Sequence, residues 1–166
     1  MEMASRIRRY VGLASHLRYD RPLIIVVPKA DVWGRIIDLD LSTEPFSPPS
    51  FGGSTPWTLD LEKVQSVSAS VRAFLMQSAP EFVTAAEDFC QHVVYIPVSA
   101  LGHSPQRQAN QEGLLVRPSE IHPKWATIPM LYVFAKWSKG LIAGTAASGK
   151  PHQPTPSVPN ADAGAR

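Results

Sequence analysis

The sequence contains a single cysteine, which excludes an internal disulfide framework and a cysteine-rich zinc site. It also lacks long apolar runs. The longest, such as Leu23–Val27 and Pro129–Ala135, fall well short of the roughly 20 residues that a membrane-spanning helix needs. Sixteen basic and 14 acidic residues nearly balance, so there is no strong excess of positive charge of the kind that nucleic-acid binding requires. We therefore expect a cytoplasmic chain with neither a membrane nor a nucleic acid as partner.

What is present is typical of an α/β domain over residues 1–142. The chain has 166 residues, about one domain, and 44% of them are hydrophobic. The order of predicted elements indicates parallel strands joined by helical crossovers. Buried strands are predicted at 23–27 and 93–98, with a short strand at 114–116, and helices at 1–17, 59–77, from Pro80 to Phe89 and at 124–137, the last apolar nearly all round. Residues 38–58 and 102–111 are predicted as loops and 143–166 as a disordered tail, because they are rich in small and polar residues.

A short motif follows each of the two predicted buried strands. Pro28-Lys29-Ala30-Asp31 comes after the first strand, and Ser99-Ala100-Leu101-Gly102 after the second. Ligands of parallel sheets bind beyond the carboxyl ends of the strands, so these positions are where a site is expected. Together the two segments resemble the base-recognition motifs of the Ras-like GTPase superfamily, [NT]-K-x-D and S-A-[KL].

The resemblance covers about residues 21–137 and implies the carboxyl-terminal half of a bacterial-type, P-loop GTPase domain. The fold would be a partial three-layer parallel sheet with flanking helices, and the cofactor GTP or GDP, bound weakly. Asp31 would accept paired hydrogen bonds from the N1–H and exocyclic amine of guanine. Lys29 would cover the base with its aliphatic stem. The backbone N–H of Ala100 would meet the guanine O6, and Ser99 would support the loop.

The sequence departs from the family in the parts that handle phosphate. Pro28 stands where the family has Asn or Thr, and no G-x-x-x-x-G-K-[ST] loop precedes the first strand. Segment Gly144–Lys150 has the spacing of that loop but is followed by Pro151, and the D-x-x-G at Asp31–Gly34 reuses the base-reading aspartate. We therefore assign no catalytic or metal-ligating residue and expect neither Mg²⁺ binding nor efficient hydrolysis by this chain alone. A protein partner or an amino-terminal half of the domain would supply the phosphate loop.

Another interpretation fits the same residues. In an ordinary α/β protein, Asp31 and Ser99 are simply the N-caps of the helices that follow. The chain is then a non-enzymatic interaction module without nucleotide binding, and its incomplete sheet and last apolar helix favour capture by a partner or self-association. Cys90 and His92 are two residues apart and are predicted as a buried thiol and a surface imidazole rather than a catalytic pair.

Overall fold

A computed structural model describes residues 2–14, 16–47, 57–104, 106–107, 114–138 and 141–145. Over these ranges the protein is a mixed α/β fold with short sheets. The elements in chain order are α1 Glu2–Val11, β1 Leu23–Val27, α2 Ala30–Trp33, a 3₁₀ helix Gly34–Ile37, β2 Phe46–Ser47, β3 Thr58–Asp60, α3 Leu61–Ser78, α4 Pro80–Phe89, β4 Val93–Pro97, β5 Gln106–Arg107, β6 Leu114–Leu115, a 3₁₀ helix Pro118–Glu120, α5 Ile128–Trp137 and β7 Ala143–Thr145.

The two predicted buried strands pair with each other in parallel, which confirms the central expectation of the sequence. Their register runs from Leu23 opposite Val93 to Val27 opposite Pro97. The N–H of Val98 donates to the carbonyl oxygen of Val27 over 3.0 Å. Because successive residues of a strand point their N–H groups to alternate edges, the nitrogen of Pro97 lies on the edge away from β1. Its missing N–H therefore costs no bond between these strands.

The β1–β4 sheet is less enclosed than the sequence predicts. Val26 of β1 is 46% exposed, so the expectation that this strand is buried on both faces was wrong. Within the described ranges β1 pairs with β4 alone, and its other edge has no partner strand. Helix α5 was likewise expected to be buried all round, yet Met130 is 59% exposed while Ile128 is fully buried. The described sheet covers only part of the apolar surface that the sequence provides.

Helix α3 covers β4 and builds the core beside it. Val64 and Val71 are fully buried in one cluster with the apolar residues of β4. The hydroxyl oxygen of Ser68 accepts the N–H of Tyr95 over 2.9 Å, which satisfies a donor on the edge of β4 that faces away from β1. Asp60 is the N-cap, since its carboxylate accepts from the N–H of Lys63 over 2.9 Å.

Several short strands lie where the sequence indicated loops or tail. β2 falls within the predicted loop 38–58 and pairs antiparallel with β3, and β5 falls within the predicted loop 102–111. β7 pairs in parallel with β3 at the start of the predicted tail. The rest of that tail, residues 146–166, lies outside the described residues, as do residues 48–56. None of the helices that the structure describes has the length and apolar character to cross a bilayer.

Candidate functional site

The structure brings the two predicted motifs together at the carboxyl ends of β1 and β4. The hydroxyl of Ser99 donates to Oδ1 of Asp31 over 2.5 Å, although 68 residues separate them in sequence. Beside this contact, the N–H of Ala30 donates to the carbonyl oxygen of Val98 over 3.0 Å. The turn after one strand is thus tied to the turn after the other by a backbone bond and a charge-assisted side-chain bond.

Ser99 is fixed from three directions and is fully buried. Its N–H donates to the carbonyl oxygen of Lys124 over 3.0 Å, and its own carbonyl oxygen accepts the N–H of Lys124 over 2.8 Å. Its hydroxyl oxygen also accepts the N–H of Gly102 over 2.9 Å. One serine therefore holds the Asp31 carboxylate, the loop that follows β4 and the segment that leads into α5.

The loop after β4 requires a glycine at position 102, a role that the sequence analysis did not predict. Its φ of 80° lies in the left-handed region that favours glycine. A Cβ built there would lie 1.9 Å from the carbonyl oxygen of His122, which is backbone and cannot move aside. The N–H of His122 in turn donates to Leu101 over 2.9 Å. The glycine that directly follows Ser99-Ala100-Leu101 is the sequence feature that could have predicted this tight turn.

Asp31 does not cap a helix, so the interpretation of this residue as an N-cap was wrong. The N-cap of α2 is Lys29, at φ 58°, and it makes no side-chain capping bond; Asp31 lies inside the first turn. Ser99 does accept an N–H three residues ahead, as a cap would, but residues 100–103 form bends rather than a helix. The carboxylate of Asp31 instead points to the β4 loop, where Ser104 donates to Oδ2 over 3.4 Å.

The Asp31 carboxylate retains capacity for a ligand. A carboxylate offers about four lone-pair positions, and the hydroxyls of Ser99 and Ser104 occupy two. Next to it, Ala100 is exposed, and its N–H has no acceptor among the described residues. Lys29 is exposed as well and forms no ion pair within that part of the chain. The geometry therefore presents paired acceptors, a backbone donor and a cationic side chain on adjoining turns.

A small cavity of about 140 Å³ adjoins Asp31. Its lining carries charges of both signs: Asp31 and Asp40 against Arg35 and Lys124. Hydrogen bonds from Ser42 hold the pKa of Asp40 below its ordinary value, with the cationic lysines nearby as a lesser cause. The volume is below the roughly 300–1,000 Å³ typical of a complete ligand pocket.

The turn that carries Lys29 and Asp31 is anchored by an aromatic pair. The indole N–H of Trp33 donates to the carbonyl oxygen of Pro28 over 2.8 Å. The Trp33 ring stacks on Phe74 of α3, with centroids 5.3 Å apart and ring planes inclined by 7°. This packing holds the turn against α3 at the end of β1.

The structure also locates the other chemical candidates of the sequence. Cys90 is buried, and burial raises its pKa, whereas His92 is exposed, which confirms the prediction of a structural thiol and a surface imidazole. Within the described ranges, no group of three His, Cys, Asp or Glu residues could hold a metal ion. The D-x-x-G segment runs along α2 into the 3₁₀ helix, and Gly144 lies in β7 while residues 146–150 are outside the described part.

Comparison of the chain with protein-family models, with curated proteins and with solved structures found no match in any of the three.

Proposed function

We propose that this chain is the base-recognising half of a guanine-nucleotide site in a GTPase-like protein. The observation that carries the proposal is the bond between Asp31 and Ser99 at the carboxyl ends of two parallel strands, with the exposed Ala100 next in the chain. The order of the two motifs, each after one of two adjacent parallel strands, is also that of the Ras-like superfamily that the sequence resembles.

In this proposal the two oxygens of Asp31 accept the N1–H and the exocyclic amine of guanine. Adenine presents an acceptor at N1 instead, so the carboxylate disfavours it. The N–H of Ala100 donates to O6 of guanine, and the stem of Lys29 lies along the base while its ammonium stays solvated. Ser99 contributes by holding the carboxylate in place rather than by touching the nucleotide.

In this proposal an amino-terminal half of the domain, or a protein partner that carries it, completes the site. The cavity beside Asp31 is small for a whole nucleotide, and the sequence before β1 has no phosphate loop. Among the described residues β1 pairs with β4 alone, and the N–H groups of Ile24 and Val26 point away from β4. This edge of β1 therefore offers main-chain bonds to a further parallel strand. A partner carrying the amino-terminal half of the domain would supply both the strand and the phosphate loop.

Without the amino-terminal half the chain binds GTP or GDP weakly and does not hydrolyse GTP efficiently. Phosphate and magnesium contacts normally supply much of nucleotide affinity and most of the transition-state stabilisation in such enzymes. This chain brings the base contacts only. We expect its affinity to lie near the millimolar range, about −4 kcal/mol.

Calorimetric titration with GDP and, separately, ADP tests the proposal. We expect heat of binding with GDP only, and its loss in Asp31→Ala. Glu81→Ala, an exposed acidic residue on α4, is the matched control and should leave the GDP signal unchanged. Equal binding of GDP and ADP, or silence with both from a folded sample even with an amino-terminal partner present, would refute the proposal.

A non-enzymatic interaction module is the second candidate. It is favoured by exposed apolar side chains and by the edge of β1 that has no partner strand within the described ranges. Ile36 is 72% exposed and Val32 54% exposed, both close in sequence to the end of β1. In this case the chain binds a protein partner or a second copy of itself and no nucleotide. Light scattering tests self-association. A molar mass of one chain at all concentrations argues against it, and a dimer whose stability does not change when GDP is added supports it.

A further inference from the structure

The edge of β1 that faces away from β4 carries backbone groups without a partner in the described part of the chain. The N–H of Leu23 donates to the carbonyl oxygen of His92 over 2.8 Å, so the odd-numbered residues of β1 face β4. Ile24 and Val26 therefore turn their N–H and C=O groups to the other edge, where no described strand pairs with them. Backbone groups arranged in this way are a template for a further strand.

β1 itself has none of the features that protect an edge strand. Natural edge strands are commonly blocked by a charged side chain, by a proline within the strand or by a bulge. Leu23–Val27 contains only aliphatic residues and pairs with β4 in an unbroken register. Val26 is 46% exposed, so apolar side-chain surface accompanies the open backbone groups. Sheets of globular proteins typically have about four to six strands, and the described β1–β4 sheet has two.

Two prolines determine which strand register fits this edge. Pro22 and Pro28 lie symmetrically about Ile25, and neither has an N–H to donate. When two copies of β1 pair antiparallel about a two-fold axis at Ile25, Ile24 lies opposite Val26 of the second copy, and the two residues exchange both N–H···O bonds. Every backbone group that Ile24 and Val26 present at this edge is then paired, and the prolines lie beyond the ladder. A shift by two residues brings a proline opposite Ile24 or Val26 and leaves a carbonyl oxygen without a donor.

The ends of β1 carry charges that complement each other in the same arrangement. Asp20 and Arg21 precede the strand, and Lys29 and Asp31 follow it. Within the described ranges, no ion pair involves any of these four side chains. In an antiparallel pair the beginning of one strand lies beside the end of the other, so Asp20 comes to the same end as Lys29 of the second copy, and Arg21 to the same end as its Asp31. Because of the two-fold symmetry, these opposite charges meet at both ends of the pair.

We propose that this edge binds a second copy of the chain, with the two β1 strands antiparallel about a two-fold axis at Ile25. The two sheets then form one sheet of four strands, with both copies of β1 at its centre and a copy of β4 on each side. Ile24 and Val26 point to the same face of the sheet, so each packs on the other across the new strand pair and the exposed surface of Val26 is covered. The interface uses the same surface on both chains and closes at two. An amino-terminal half that brings a parallel strand would occupy the same edge, so the dimer is the form of the chain in the absence of that half.

Disulfide cross-linking of the full-length chain tests the register. In the proposed pairing Ile25 lies opposite its own copy without hydrogen bonds between them, and their Cα atoms are about 4.5 Å apart, within the reach of a disulfide. Val26 is only a diagonal neighbour of its own copy, at about 7–8 Å, where a disulfide does not form without backbone movement. Under the same mild oxidation we therefore expect Ile25→Cys to give at least about five-fold more covalent dimer than Val26→Cys. Random collisions would give the reverse order, because Val26 is the more exposed residue, and the wild type, whose Cys90 is buried, should give no covalent dimer.

Light scattering of chains without added cysteines tests the dimer itself. The molar mass of the wild type should rise toward two chains as the concentration increases to about 1 mM. Val26→Lys places a charge on the edge and should keep the mass at one chain. Met130→Lys, at a residue of α5 that is 59% exposed, is the matched control and should behave as the wild type does.

Three results would overturn the proposal. These are a wild-type mass of one chain at every concentration, a mass that continues to rise beyond two chains, and equal cross-linking of Ile25→Cys and Val26→Cys. Neither measurement uses a nucleotide, and titration of the Val26→Lys monomer with GDP tests guanine recognition separately. Failure of the dimer and failure of the guanine site are therefore distinguishable.

Discussion

The hydroxyl of Ser99 donates to the carboxylate of Asp31 over 2.5 Å, and this contact joins the ends of the two central parallel strands. Ser99 is fully buried, so its hydroxyl cannot exchange this partner for bulk water. The carboxylate is only half-buried and keeps acceptor capacity on its open side. The pair therefore combines a structural bond with a surface that can bind a ligand.

Removing the Ser99 hydroxyl should destabilise the protein measurably. Ser99→Ala breaks the bond to the Asp31 carboxylate and leaves the N–H of Gly102 without its acceptor. Hydrogen bonds to charged groups contribute about 1.5–3 kcal/mol, and we expect the free energy of unfolding in urea to fall by about that amount. Ser70→Ala, at an exposed helical serine, is the control and should change it by no more than about 0.5 kcal/mol. Equal effects of the two substitutions would contradict the role given to Ser99.

Gly102 should tolerate no side chain. Gly102→Ala places a Cβ against the backbone of His122 at a positive φ, so we expect a loss of about 2–5 kcal/mol in unfolding free energy. Gly12 also has a positive φ, 66°, but a Cβ there meets nothing within 4 Å. Gly12→Ala should therefore cost only the backbone term, about 1–2 kcal/mol. Thermal or urea unfolding of both variants measures the difference, and equal losses would show that the close approach to His122 is absent.

Stability should fall at alkaline pH through Tyr95. Burial, with the nearby Glu87 carboxylate, raises the pKa of Tyr95 to about 12 from an ordinary value of 10. Between these values the unfolded chain has released the proton that the folded chain still holds. The contribution to stability is thus complete below pH 10 and is lost as the pH rises toward 12. Urea unfolding across this range should show a shallower decline in Tyr95→Phe than in the wild type, and identical slopes would contradict the raised pKa.

The free energy of unfolding at acidic pH should depend on the ion pair between Arg72 and Glu87. Bidentate hydrogen bonds of 2.5 and 2.8 Å from the Arg72 guanidinium hold the pKa of Glu87 below its ordinary value of 4.5. A depressed carboxyl pKa stabilises the folded state above the unfolded pKa, and that stability is lost as the pH falls through the folded value. We expect Glu87→Gln to flatten the pH dependence of unfolding below about pH 4.5. If Glu87→Gln and the wild type lose stability equally below this pH, the ion pair contributes nothing to the stability of the folded state.

The central strands and their joined ends were predictable because their signals are local and strong. Leu23–Val27 and Val93–Ile96 are aliphatic and aromatic runs bounded or ended by prolines, and the rule for parallel strands places Asp31 near Ser99. Helices α3 and α4 followed from apolar spacing and from Pro80 in the first turn.

The remaining features depend on contacts that are distant in sequence. β2 and β7 are two and three residues long and are strands only because each pairs with β3. Trp125 is fully buried at φ 56°, held by Glu44 and Thr43, which accept its backbone and indole N–H groups at 2.7 and 3.4 Å. No local sequence pattern around Trp125 predicts either contact, because both partners are about 80 residues away in sequence.

Exchange of one atom in Asp31 tests guanine recognition most directly. Asp31→Asn keeps an oxygen for Ser99 and for N1–H but replaces the second acceptor with an NH₂ donor. Xanthine has a carbonyl oxygen where guanine has its amine, so it complements the variant. We would follow the amide resonance of Ala100 while titrating GDP or XDP, which share the same phosphates. We expect the wild type to prefer GDP and Asp31→Asn to prefer XDP. Binding of both nucleotides with equal affinity by both proteins, or no shift of Ala100 in either, would contradict it.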